Sequence, residues 1–189
     1  MTMSMLQCLG DFEDAYQKRI DELTTYRNEG RKVVGTFCLF VPDEIIYAAG
    51  AARVILCGGR NATVSLAEEY LPRDICPLVK SSFGSVVSAA CNRRDVCPHF
   101  NLIDTVAEAT CDAKKKMHEL LNQHIPTYVI DLPQKPDSAA GIAYYAMQLE
   151  QFKDAMEGLT STLITDDRLR HEFKSANETR SLLHRLYAL

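Results

Sequence analysis

Three cysteines occupy positions where a thiolate could hold a metal: Cys76, Cys97 and Cys111. Cys76 closes the punctuated stretch Leu71-Pro72-Arg73-Asp74-Ile75-Cys76 and is followed by Pro77. Proline fixes its own φ and pushes the preceding residue out of helical geometry, so a helix opening at Pro77 leaves Cys76 at its entrance. Cys97 also precedes a proline, in Val96-Cys97-Pro98-His99, and Cys111 lies between a β-like stretch, Leu102 to Ala107, and a helix-like one beginning near Asp112. Helix entrances with their free N–H groups suit negatively charged ligands, and ligands of open α/β folds gather at the carboxyl ends of strands. Iron–sulfur clusters need thiolates on stiff loops, whereas zinc sites usually show C-x-x-C pairs, and the sequence has none. For any one of these cysteines the ordinary alternative is a small buried apolar residue. It is their shared position at loop-to-helix junctions that favours a cluster. Cys38 and Cys57 fit strand ends in a core better than a site, and Cys8 and Cys91 are read as incidental.

Other chemistry-bearing residues are fewer. Lys114, Lys115 and Lys116 directly follow Cys111. Most charge runs are solvated faces, but lysines at a helix start oppose the dipole, so Lys114 and Lys115 are kept as substrate-binding candidates facing a cluster or an acyl-CoA phosphate. His99 is the histidine nearest the proposed ligands, and a surface or hydrogen-bonding role is its ordinary reading. Asp43 and Glu44 open a helix, where capping explains them, and Glu44 is kept as the candidate base. No G-x-G-x-x-G, Walker-type loop or serine nucleophile elbow is present.

The elements that must position these groups alternate. Residues 11–29 carry Phe12, Tyr16, Ile20, Leu23 and Tyr26 at helical steps, ended by Gly30. Strands are predicted over Lys32–Phe40, Arg53–Cys57, Leu102–Ala107 and Thr127–Leu132, with helices from Pro42, over Pro77–Val87 and over Ala113–Asn122. Short apolar strands alternating with helices predict an α/β fold with a parallel, Rossmann-like or flavodoxin-like sheet flanked by helices. After Leu132 to Asp137 the pattern changes to two helices, 138–158 and 166–187. The organisation expected is an N-terminal helix (1–30), an α/β cluster-binding domain (31–136) and a C-terminal helical pair (137–189).

Composition removes whole classes of function. Lys plus Arg number 21 and Asp plus Glu 25, a net charge of −4, so no basic surface for a phosphate backbone is expected and nucleic acid is not a partner. No signal peptide or bilayer-length apolar run is seen, so a cytoplasmic protein with no membrane partner is expected. Seven cysteines, an odd number without a secretion signal, favour metal binding over disulfides.

Several segments resemble one family. Gly35-Thr36-Phe37-Cys38 with Val41-Pro42-Asp43-Glu44-Ile45-Ile46-Tyr47-Ala48-Ala49-Gly50-Ala51 resembles the N-terminal signature of the 2-hydroxyacyl-CoA dehydratase and benzoyl-CoA reductase family. Leu71 to Gly84 resembles its first cluster-cysteine segment, Glu108 to Met117 its second, and Asp131-Leu132-Pro133-Gln134-Lys135-Pro136 the segment before its helical pair. The match is to the N-terminal half, nearest the D-component-like and double-cubane-cluster branch. Ala109 and Ala113 stand where the family more often has Thr and Gly. The resemblance implies an iron–sulfur subunit of a lyase of anaerobic metabolism, which dehydrates a 2-hydroxyacyl-CoA by radical chemistry after one-electron reduction. It implies a [4Fe-4S] cluster on Cys76 and Cys111, or a double-cubane cluster joined by Cys97. The third ligand would come from a second α/β domain, which is missing here, so a truncated chain is expected. Partners implied are an ATP-dependent iron–sulfur activator protein and a second subunit or homodimer partner. Two alternatives stay open: a double-cubane electron-transfer protein that does not act on CoA esters, and an inactive folded remnant.

Overall fold

The computed structural model describes residues 5–37, 40–56, 61–90, 101–109, 119, 122–123 and 125–188. Helix α1 (Met5–Asn28) leads to β1 (Val33–Phe37), α2 (Asp43–Ala48) and β2 (Ala52–Ile55). A 3-10 turn (Asn61–Thr63) runs into α3 (Val64–Ala67), followed by α4 (Pro77–Ala90), β3 (Thr105–Glu108), β4 (Thr127–Val129), α5 (Ala139–Thr160) and α6 (Asp166–Tyr187). The four strands are all parallel, in the order β2-β1-β3-β4. The chain moves from β1 to one side and then returns to β3 on the other, so the crevice between the carboxyl ends of β1 and β3 is a topological switch point.

Two apolar layers cover the sheet. Successive strand side chains point to opposite faces. Val33, Phe37, Val54 and Val106 therefore pack with Leu23 of α1, Ala67 of α3, and Phe83 and Val87 of α4. Val34 and Ala107, with Ala109 and Ile130 just past their strands, pack on the other face with Ile45 and Ile46 of α2 and Phe152 and Met156 of α5. Each face holds one fully buried phenylalanine tilted against a tyrosine. Phe83 lies 6.1 Å from Tyr70 and Phe152 lies 5.3 Å from Tyr128, centroid to centroid.

Two glycines aim the first two strands. Gly30 (φ 80°) donates to the carbonyl of Arg27 while Arg31 donates to Tyr26, and Gly50 (φ 76°) donates to Tyr47 while Ala51 donates to Ile46. Both are Schellman endings, which need a left-handed residue at the turn and so favour glycine.

Element boundaries differ from expectation for local reasons. β3 starts at Thr105, later than Leu102, because Asp104 is engaged on the approach to the sheet: its carboxylate accepts from the N–H of Val33 at 2.8 Å and pairs with Arg27. β4 ends at Val129; one ladder bond, from the Ile130 N–H to the Glu108 carbonyl, follows it, and the outward-facing N–H of Asp131 goes to the Gln148 side chain. The turn and short helix over residues 61–67 add elements that are too short to show a period in the sequence. The helix expected over Ala113–Asn122 lies almost wholly outside the described residues. Helix α6 has no buried residue, and of its expected apolar side only Leu169 packs on the core, while Phe173, Leu182, Leu183, Leu186 and Tyr187 are exposed. Among the described residues no helix is long and apolar enough to cross a membrane.

Candidate functional site

Cys76 is placed as its proline neighbour predicts. The Lys80 N–H donates to the Cys76 carbonyl at 3.0 Å, the first bond of α4, with Pro77 in the first helical position. The thiol is free and half-buried. The loop before it is a tight turn, with Ile75 N–H donating to Pro72. Lys80 pins that turn. Its ammonium donates to the Arg73 carbonyl at 2.8 Å and to Glu68 at 2.7 Å, and its side chain is almost wholly buried. Lys80 lowers the Glu68 pKa through this hydrogen bond. Farther along α4, Gly84 lies so close to Thr63 that an added Cβ would sit 2.0 Å from the Thr63 carbonyl oxygen. The loop that bears Cys76 is therefore held by a buried cation, and the helix it opens is held by a close backbone contact.

The remaining ligand candidates, Cys97 and Cys111, lie outside the described residues, as do Lys114, Lys115, Lys116, His99, Cys38, Cys57 and Cys91. Among the described residues no group of three or more His, Cys, Asp or Glu is placed to hold a metal ion. What the structure does place is the strand leading to Cys111. Glu108 ends β3 three residues before it, paired in register with Phe37 and Val129 and fully buried.

Asp43 and Glu44 do not cap α2. Pro42 is the N-cap and makes no side-chain bond, and each acid is taken by an arginine from elsewhere. Asp43 pairs with Arg53 of β2, whose Nε also donates to Thr36 of β1 at 3.0 Å. Burial pushes the Asp43 carboxyl up from its ordinary range, against the pull of Arg53. Glu44 is 5 % exposed and pairs with Arg180 of α6, which also donates to Asn177. The candidate base is thus held in an ion pair that joins the helical pair to the sheet domain.

A cleft of about 750 Å³ opens beyond the ends of β1 and β4, within the usual range of small-molecule sites. Phe40, Leu132, Pro133, Pro136, Ile142 and Tyr145 line it, and Asp131 and Gln134 supply its polar groups. Its walls are tied together: the Tyr145 hydroxyl donates to the Phe40 carbonyl at 3.2 Å and the Tyr144 hydroxyl donates to Asp131 at 2.9 Å. Neither this cleft nor the roles of Arg53, Lys80 and Arg180 emerge from the sequence. The one signal for the cleft is the proline-rich stretch after β4, which by itself marks only a boundary.

An open parallel sheet with helices on both faces, and a cleft at its carboxyl edge, define an α/β domain of the doubly wound class. The chain belongs to the 2-hydroxyglutaryl-CoA dehydratase D-component family, whose model matches residues 38–189. Among its relatives, YjiM of Escherichia coli, named as a dehydratase subunit, is 35% identical over 94% of this chain and 45% of its own. A benzoyl-CoA reductase subunit of Thauera aromatica is 29% identical over 84% of this chain and 40% of its own. The beta subunit of (R)-2-hydroxyglutaryl-CoA dehydratase of Acidaminococcus fermentans is 22% identical over 95% of this chain and 46% of its own. The chain therefore spans less than half the length of these relatives.

Proposed function

We propose that this chain is the cluster-bearing part of a 2-hydroxyacyl-CoA dehydratase-type enzyme, with Cys76 and Cys111 as thiolate ligands of a [4Fe-4S] cluster, or of a double-cubane cluster that Cys97 joins. The observation that carries the reading is the setting of Cys76, a half-buried free thiol at the first turn of α4 on a loop pinned by Lys80. A stiff loop with a partly accessible sulfur is what cluster ligation requires. When bound, such a cluster supplies a Lewis-acidic iron and a store for one electron. The protein's own contribution is positional. Lys80 fixes the cysteine loop, the Gly84 contact fixes the helix that follows it, and β3 carries the chain toward Cys111. The relatives named as subunits support a partner subunit, and the family resemblance implies an ATP-dependent activator protein as electron donor.

Anaerobic reconstitution with iron and sulfide tests this. The expected result is stable iron and sulfide incorporation with broad visible absorption, lost in Cys76→Ala and Cys111→Ala but kept in Cys8→Ala. Equal incorporation by all of these variants overturns the assignment.

A further inference from the structure

The cleft at the carboxyl edge goes further than the reading above, on which it rests for the identity of the ligand as a thioester. We propose that this cleft holds the acyl tail of the thioester and selects an uncharged, apolar acyl group over one that ends in a carboxylate.

Position, composition and charge each argue for it. The cleft is bounded by the segments that follow β1 and β4, and these strands flank β3, the strand that leads to Cys111. It therefore lies over the edge where the topology gathers ligands. Its walls are two aromatic rings, two prolines and two aliphatic side chains, an apolar surface for a chain or ring of carbon. Among the described residues lining it there is no Lys, Arg or His, and the charged member is an acid, Asp131. Lys135 belongs to the same loop but does not line the cleft.

A terminal carboxylate entering this space would lose water, find no cation, and face a like charge; each of these costs free energy. The Asp131 carboxylate accepts from the Tyr144 hydroxyl, and its backbone N–H donates to Gln148. Of the polar groups of the walls, the Tyr145 hydroxyl is directed to the Phe40 carbonyl and the Asp131 carboxylate to the Tyr144 hydroxyl. A purely apolar tail makes no demand on them. The same lining disfavours the nucleotide end of a CoA ester, whose phosphates need cations.

The test uses short thioesters without the nucleotide. Hexanoyl- and glutaryl-N-acetylcysteamine are titrated into the whole chain carrying labelled isoleucine methyls, with Ile142 as reporter. Ile142 is 61% exposed, so its replacement leaves the core intact. Expected are Ile142 methyl shifts with the hexanoyl ester, about tenfold weaker binding of the glutaryl ester, and loss of hexanoyl binding in Ile142→Asp. Asp131→Asn narrows the gap by improving glutaryl binding. Equal affinity for the two esters, or shifts that leave Ile142 unmoved, overturns the proposal. So does an Ile142 shift that depends on protein concentration without ligand, since a second copy then fills the cleft. Hexanoyl-CoA that binds Ile142→Asp as well as the parent overturns the acyl assignment while leaving the dehydratase reading standing. Failure to take up iron and sulfide removes that reading without touching the fragment result.

Discussion

The two faces of the sheet are fastened in different ways. On the α4 face the close contact is steric, between neighbouring elements, beside the Lys80–Glu68 pair. Gly84 sits under the Thr63 carbonyl, the Thr63 hydroxyl donates to the Ser81 carbonyl at 2.9 Å, and the Ser85 hydroxyl donates to the same carbonyl at 2.9 Å. On the α2 face the fastenings are ionic, and one of them spans most of the chain. Asp43 joins Arg53, and Glu44 joins Arg180 across 136 residues. The difference follows from what each face must hold. Helix α4 opens at Cys76, the proposed cluster ligand, and close backbone packing leaves the start of that helix little freedom. Helix α6 is an exposed element, for which a charged tether to a buried acid gives orientation without an extensive core.

The largest effect expected of breaking this contrast is at Gly84. Gly84→Ala forces a Cβ against a backbone oxygen that has no rotamer to change, and should cost about 3 kcal/mol. For a domain of this size that is roughly a 10 °C loss in Tm by calorimetry, accompanied by loss of iron uptake at Cys76. Gly158→Ala is the control, because nothing lies within 4 Å of its added Cβ, and it should be neutral or slightly stabilising. Second is Arg180→Ala. It strips Glu44 of its charged partner and should cost about 1.5 kcal/mol in urea unfolding, the exposure of Arg180 moderating the loss. Glu44→Gln placed in that background should recover part of the stability, and no recovery would remove the ionic account of this face.

The smallest effect is a pH dependence at the turn between α5 and α6. The Glu157 carboxylate accepts from Lys153 at 2.8 Å and from the Ile164 N–H at 2.7 Å, and these bonds hold its pKa below the ordinary 4.5. A lowered acid binds fewer protons folded than unfolded, so its contribution is complete above 4.5 and fades as pH falls through the folded value. Asp43 has the opposite sign: its folded pKa lies above the ordinary 3.8, so its contribution is greatest at low pH and declines as pH rises through that interval. Thermal melts of Glu157→Gln should lie a few degrees below the parent near neutrality and converge with it in acid. Parallel curves would break the assignment.

How legible these features are depends on how local they are. Gly30 and Gly50 announce two helix endings because only a left-handed residue closes a Schellman turn easily, and Pro77 marks the start of α4 and hence the position of Cys76. The parallel sheet is readable from short apolar strands between helices. The Glu44–Arg180 pair is not, since nothing in a short window of sequence connects α2 to α6. The cleft is not readable either, because its walls come from the segments after β1 and β4 and from the start of α5. In sequence Lys80 looks like one more charged helix residue, and its burial is visible only once the turn at Arg73 is folded beneath it. The spacing of Cys76, Cys97 and Cys111 is plain in the sequence, while two of the three lie outside the described residues.

Helix α6 buries none of its 22 residues and is joined to α2 through Arg180 and Glu44. A helix so placed belongs to the least protected part of a protein, where opening requires only a fraction of the free energy of global unfolding. Its amide hydrogens should exchange well before those of the sheet. Each opening also uncovers Glu44 at the first turn of α2, so the solvent accessibility of that carboxylate is governed by a local unfolding equilibrium far from it in sequence.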